Sequence, residues 1–146
     1  MSSAVGGVTP IGARFNERRT TVLRRLLEAQ NARDIESSLA CFDHPRYELI
    51  GNNRVYDGAD DVRDYYEMTR RYFPDLHFEV IDWHHAVDAV VCELWMSGTH
   101  LGSGPDFAAT GRCFRCRTAV IFSFEGERLT GARVYYDTRT IARQLA

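Results

Sequence analysis

Lysine is absent from this chain of 146 residues, in which all 18 basic side chains are arginines. Neither stability nor binding alone demands that choice, which reads as coding bias. Twenty acidic residues leave a net charge of −2, so no charge excess draws the chain to nucleic acid or to an anionic membrane. No stretch reaches the ~18 uncharged apolar residues of a membrane span. The longest apolar run near the C-terminus, Thr118 to Phe124, has the length of a strand and lies between Arg117 and Glu125. The first seven residues lack the basic-then-apolar order of a secretion signal, and a cytoplasmic location is expected. Four cysteines (Cys41, Cys92, Cys113, Cys116) are too few and too scattered for a disulfide framework. Cys113 and Cys116 match C-x-x-C, but inside an apparent strand, where positions i and i+3 point to opposite faces. With no second pair to complete a zinc site, both are expected as small buried thiols. H-x-x-x-H and H-E-x-x-H spacings are missing too, and no metal is expected.

What is present has a clear order. Thr9-Pro10 reads as a helix start, and Ile11, Phe15, Val22, Leu23, Leu26 and Leu27 recur at helical spacing to about residue 31. Residues 1–8 are expected as a flexible segment and 9–146 as one domain. Asp34 caps a short second helix with Ile35, Leu39 and Phe42, ended by His44-Pro45. Short strands follow at Tyr47–Ile50 and around Val55-Tyr56, split by Gly51-Asn52-Asn53. A third helix spans about 59–73. The period then changes to two over 76–85, 89–100, 112–125 and 128–137, giving four long antiparallel strands, and Ile141 and Leu145 mark a last helical turn. Helices grouped before a run of strands indicate an α+β fold with helices on one face of a curved sheet. Such a sheet encloses an apolar cavity, and polar side chains facing it are the informative ones.

Asp137 ends Arg133-Val134-Tyr135-Tyr136-Asp137. Facing the cavity, it would have a raised pKa and serve proton transfer; preceding Thr138-Arg139-Thr140, it would instead cap the last helical turn. Glu93 shares a strand face with Trp95, and Arg115 and Arg117 share one on the neighbouring strand. They form either a neutralised cavity wall or an outer-face salt bridge of small value. One of His84 and His85 can face the cavity as a proton carrier or donor; His100 stands at a strand end. Tyr65, Tyr66, Tyr72 and Phe73 lie at helical spacing and read as core, with a polar tip such as that of Tyr66 able to reach the cavity.

Tyr56-Asp-Gly-Ala-Asp-Asp-Val-Arg-Asp-Tyr65, Phe73-Pro-Asp-Leu76, Gly98-Thr-His-Leu-Gly102, Thr110-Gly-Arg112 and Tyr136-Asp137 followed by Arg143-Gln-Leu145 resemble the SnoaL-like polyketide cyclases of the nuclear transport factor 2-like superfamily. The resemblance runs from about residue 15 to the end. It implies a cone-shaped α+β barrel, a homodimer through the outer face of the sheet, and cofactor-free acid–base chemistry on an apolar carbonyl compound such as a polyketide or terpenoid-like intermediate. It also implies Asp137 as acid/base; in a cyclase or isomerase a nearby donor, His84 or His85, Tyr135 or an arginine, would then stabilise the enolate oxygen. The chain departs from the wider superfamily at Ser123, where a histidine is expected, and in having no tyrosine within residues 10–31. Three readings follow: a cyclase or isomerase, a non-catalytic small-molecule binding or interaction module, and a hydratase or hydrolase using Glu93 and Asp137.

Overall fold

The computed structural model describes residues 2–146, and side chains from residue 12 onward. Helix α1 (Ser2–Asn31) is followed by α2 (Ile35–Ala40), β1 (Arg46–Leu49), a 3-10 turn at Ile50–Asn52 and β2 (Arg54–Asp57). Then come α3 (Ala59–Tyr72), β3 (His77–His85), β4 (Ala89–Thr99), β5 (Cys113–Glu125), β6 (Arg128–Tyr135) and α4 (Thr138–Leu145). The helix begins at Ser2, so Thr9 and Pro10 lie within it rather than at its start, a correction to the expected boundary; the apolar contact expected of Ile11 lies outside the described side chains. Asp34 caps α2 as expected, accepting a hydrogen bond from the Ser37 N–H at 3.1 Å. Gly58, at φ +93°, opens α3; Asp60 and Asp61 in its first turn and Arg70 and Arg71 in its last complement the helix dipole.

The sheet has the strand order β2-β1-β6-β5-β4-β3. Its four long strands pair antiparallel, but β1 lies parallel to β6, with Tyr47 beside Ala132 and Leu49 beside Val134. The fold is therefore α+β as expected, with two corrections: the sheet is mixed rather than antiparallel throughout, and it stays open, with β2 and β3 as edges, rather than closing into a barrel. Helices fill its concave side. Leu23, Leu26 and Leu27 of α1, Leu39 of α2 and Val62 of α3 pack on Val90, Cys92, Leu94, Val120, Phe122 and Leu129. Burying such a leucine contributes about 1.5–3 kcal/mol.

Arg19 ties α1 to the sheet. Only 2% exposed, its guanidinium donates to the carbonyls of Gly126 (2.8 Å) and Ala86 (3.2 Å) and lies on the rings of Phe15 and Phe124. The β3–β4 and β5–β6 turns are thereby held by one cation. A buried charge is tolerable only when satisfied in this way.

The strands' parity sends Phe114, Phe122, Phe124, Val90 and Val120 inward. The outer face is consequently less apolar than its strand composition suggests, with Val91, Trp95, Ala119 and Ile121 set among Glu93, Arg115, Arg117 and Arg133. Among the described residues no helix is long and apolar enough to cross a membrane.

Candidate functional site

Beyond the packed core the concave side opens into a cavity of about 210 Å³. Its apolar wall comes from Leu49, Met68, Phe73, Met96, Phe114 and Val134, and Ile141 of α4 completes the rim. Its polar groups are Asn52, Thr69 and four tyrosines, Tyr56, Tyr65, Tyr72 and Tyr136. The spacing of α3 explains this wall: Tyr65, Met68, Thr69 and Tyr72 follow at i, i+3, i+4 and i+7 and share one helix face. Tyr65 stacks on Tyr56, with ring centroids 4.8 Å apart. Among the described residues none of the four phenolic hydroxyls has a hydrogen-bond partner in the protein. Burial, reinforced by neighbouring tyrosines, pushes the Tyr65 phenol well up; Tyr136 is raised for the same first reason. Both are neutral donors at physiological pH.

A deeper chamber of about 30 Å³ shares Tyr65, Met96 and Val134 with this cavity. At its polar end Gln30 Nε2 donates to Tyr47 Oη (2.6 Å) and Tyr66 Oη (3.1 Å), and the two hydroxyls lie 2.7 Å apart. Arg70 fixes this corner by donating to the carbonyls of Leu76 (2.6 Å) and Gln30.

The expected site residues divide across the sheet. Asp137 is not in the cavity. Val134 and Tyr136 face inward, so Tyr135 and Asp137 fall on the other parity, and the carboxylate turns onto α4 as its N-cap. It is exposed and accepts from the Arg139 N–H and the Thr140 hydroxyl, both at 2.9 Å. Those hydrogen bonds hold its pKa below the ordinary carboxylate value, opposite to the expected direction. Tyr135 is exposed on the outer face. His85 lies exposed in a groove beside Trp83 and Arg24.

Glu93 and His84 meet on the outer face, with His84 Nε2 2.9 Å from Glu93 and 3.7 Å from Asp82. The Glu93 hydrogen bond raises the His84 pKa. Asp82, His84 and Glu93 place one donor atom each within 4.8 Å of one another; the group is self-paired and faces solvent. Trp95 lies on the same face under the Arg115 and Arg117 guanidinium groups, at 3.7 and 4.8 Å. Arg115 reaches Glu79 rather than Glu93. None of these four side chains is a cavity wall, because inward parity on β4 and β5 belongs to Leu94, Met96, Phe114 and Thr118.

Two expected residues do lie inside the fold. Tyr66 is buried in the Gln30–Tyr47 corner. His100 is buried between the rings of Phe73 and Phe107, with Nδ1 accepting from the Thr110 N–H at 3.3 Å, and it does not line the cavity. The C-x-x-C pair is also corrected: Cys116 is buried, but Cys113 is exposed because i and i+3 differ in parity.

The profile of the SnoaL-like polyketide cyclases matches residues 20–145. The chain belongs to that family. No curated protein matches it. Among solved structures, the chain is similar to a candidate SnoaL-like polyketide cyclase from Jannaschia sp. CCS1, at TM-score 0.79 and 14% identity, covering 88% of this chain and 92% of that one. It is also similar to a candidate polyketide cyclase from Acidithiobacillus ferrooxidans, at 0.73 and 26%, covering 88% and 94%. IdmH of Streptomyces antibioticus, another candidate polyketide cyclase, gives 0.73 and 22%, covering 87% and 97%. These likenesses establish the nuclear transport factor 2-like fold. Within this SnoaL-like chain, sequence reasoning missed Tyr136, Tyr56, Asn52, Tyr47 and Gln30. Alternation along β6 carried the signal for Tyr136, since its face also holds Ala132 and Val134.

Proposed function

We propose that the chain is an enzyme of the cyclase or isomerase kind, acting without a cofactor on a flat apolar carbonyl compound bound in the tyrosine-lined cavity. One observation carries this reading: unpartnered, neutral tyrosine hydroxyls line a greasy hollow on the family's concave side. Such donors, aimed where negative charge develops on a carbonyl oxygen, lower the barrier to enolate formation. The walls add proximity by holding a long substrate folded on itself. Among the residues that line the cavity none is a carboxylate or an imidazole. The proton therefore leaves to water at the mouth or to a basic group of the substrate.

The test is hydrogen–deuterium exchange at the methyl group of 2-acetylnaphthalene in D2O, followed by proton NMR with and without protein. Acceleration by the wild type is expected, with loss of at least tenfold in Tyr65→Phe. Tight binding with exchange at the solvent rate favours the second reading, a binding module, which the lack of a side-chain base in the cavity wall supports. Absence of binding overturns both. The carboxylate-pair reading loses its basis, because Glu93 is on the outer face and Asp137 is an exposed cap.

A further inference from the structure

The Gln30–Tyr47–Tyr66 corner holds more protons than it uses. Gln30 presents its amide N–H groups to both phenolic oxygens, at 2.6 and 3.1 Å, and the two phenols share one hydrogen bond at 2.7 Å. Each phenol brings one proton, and only one of the two is consumed between them. The other has no acceptor in the corner. Position decides which phenol keeps it. Tyr66 lines a small chamber on the side of the Arg70 guanidinium, whereas Tyr47 lines the deep chamber, which shares the wall residues Tyr65, Met96 and Val134 with the main cavity. Either hydroxyl can donate across the 2.7 Å contact; a cation disfavours a proton pointed at it, which favours the arrangement with Tyr66 as donor and the Tyr47 proton facing the deep chamber. That chamber, about 30 Å³, is large enough for one carbonyl group.

We infer that Tyr47 donates a hydrogen bond to an oxygen at the inner end of the bound ligand, so that the deep chamber selects ligands carrying a carbonyl or ether oxygen there. This rests on the cavity being the ligand site. It goes further by naming the end of the ligand that must carry an acceptor and the residue that reads it. Gln30 is the positioning residue: its amide protons occupy both phenolic oxygens and leave Tyr47 only the role of donor to the chamber.

Two probes of one shape separate the claims, 2-acetylnaphthalene and 2-isopropenylnaphthalene, which differ by an oxygen in place of a methylene. Calorimetric titration of the wild type with each is compared with Tyr47→Phe. The substitution is expected to weaken the ketone about tenfold, one good hydrogen bond, and to leave the hydrocarbon unweakened. Gln30→Glu gives an independent check, because a carboxylate accepts both phenolic protons and removes the donor; it too should weaken the ketone selectively. A wild-type crystal soaked with the ketone reads the contact without substitution, with the carbonyl oxygen expected within hydrogen-bond distance of Tyr47 Oη. Binding of both probes with no selective effect of Tyr47→Phe, or a carbonyl turned toward the mouth, overturns the inference and leaves the cavity reading standing. Failure of the ketone to bind the wild type overturns both, whereas binding of the ketone alone is the selectivity the inference expects.

Discussion

Gln144 takes the place of a strand residue beside Arg115. Its amide oxygen accepts from the Arg115 N–H at 2.7 Å, and its amide nitrogen donates to the Arg115 carbonyl at 3.0 Å. Pairing between β5 and β6 ends at Ala119 and Tyr135, so the β5 backbone beyond it would lack a partner on that side. The side chain continues the ladder and seats α4, whose Ile141 completes the cavity rim and whose Leu145 packs by Phe114 and Cys116.

Gln144→Ala should loosen α4 without unfolding the domain. Two partly exposed hydrogen bonds are worth about 1 kcal/mol in sum. Amide hydrogen exchange is expected to quicken across 138–145 while the sheet stays protected. Uniform loss of protection, or no change in α4, would contradict this role.

Asp137 gives a prediction with a definite sign. Its folded pKa is depressed by the Thr140 and Arg139 hydrogen bonds, so its contribution is present above the unfolded carboxylate value and is lost as pH falls through the folded one. Asp137→Asn, itself a good cap, should keep α4 and abolish this acid-side loosening. Thermal unfolding between pH 2 and 6 checks it; an unchanged acid limb in the variant would refute the assignment.

Arg19→Ala should be among the most damaging single changes. It leaves the Gly126 and Ala86 carbonyls without their donor and opens space between Phe15 and Phe124, for a loss of about 2–4 kcal/mol. Urea unfolding measures it. A cost under about 0.5 kcal/mol would show that the two turns do not depend on this cation.

Thiol chemistry follows burial. The Cys92 thiol is fully buried and pushed up to about 12, mainly by desolvation, whereas Cys113 is exposed. Brief alkylation with iodoacetamide at neutral pH should label Cys113 and spare Cys92, as read by peptide mass spectrometry. Preferential labelling of Cys92 would contradict the packing of β4.

The outer face still carries the homodimer expectation as a proposal. Sedimentation at micromolar concentration should give a dimer, and Ile121→Arg a monomer; a wild-type monomer would end it. Phe114, Phe122 and Phe124 face inward, so the apolar contact on this face would come from Val91, Trp95, Ala119 and Ile121.

Element order was legible because it depends on local signals: the Asp34 cap, the stops at Pro45 and Pro74, and the change from helical to alternating period after α3. The parallel β1–β6 pairing was not, because it joins residues about 85 apart and leaves no trace in either segment. Alternation gave the two faces of β6 correctly but not which one turns inward. That sign depends on whether helices sit above Val134 or above Arg133, a tertiary fact. The same missing sign left Glu93, Arg115 and Arg117 between a cavity wall and an outer-face salt bridge; they stand on the outer face with Trp95, and Arg115 pairs with Glu79 rather than Glu93. Tyr65 was in view as a core aromatic on α3; its free hydroxyl depended on the absence of a partner, which sequence does not report.

The most direct test of the central claim compares Tyr65→Phe with Asp137→Asn in the deuterium-exchange assay on 2-acetylnaphthalene. A cavity that works through neutral phenolic donors predicts that Tyr65→Phe loses at least tenfold in exchange rate and that Asp137→Asn matches the wild type. The opposite pattern, with Tyr65→Phe unaffected and Asp137→Asn inactive yet folded, would return the chemistry to the carboxylate at the start of α4 and contradict the account.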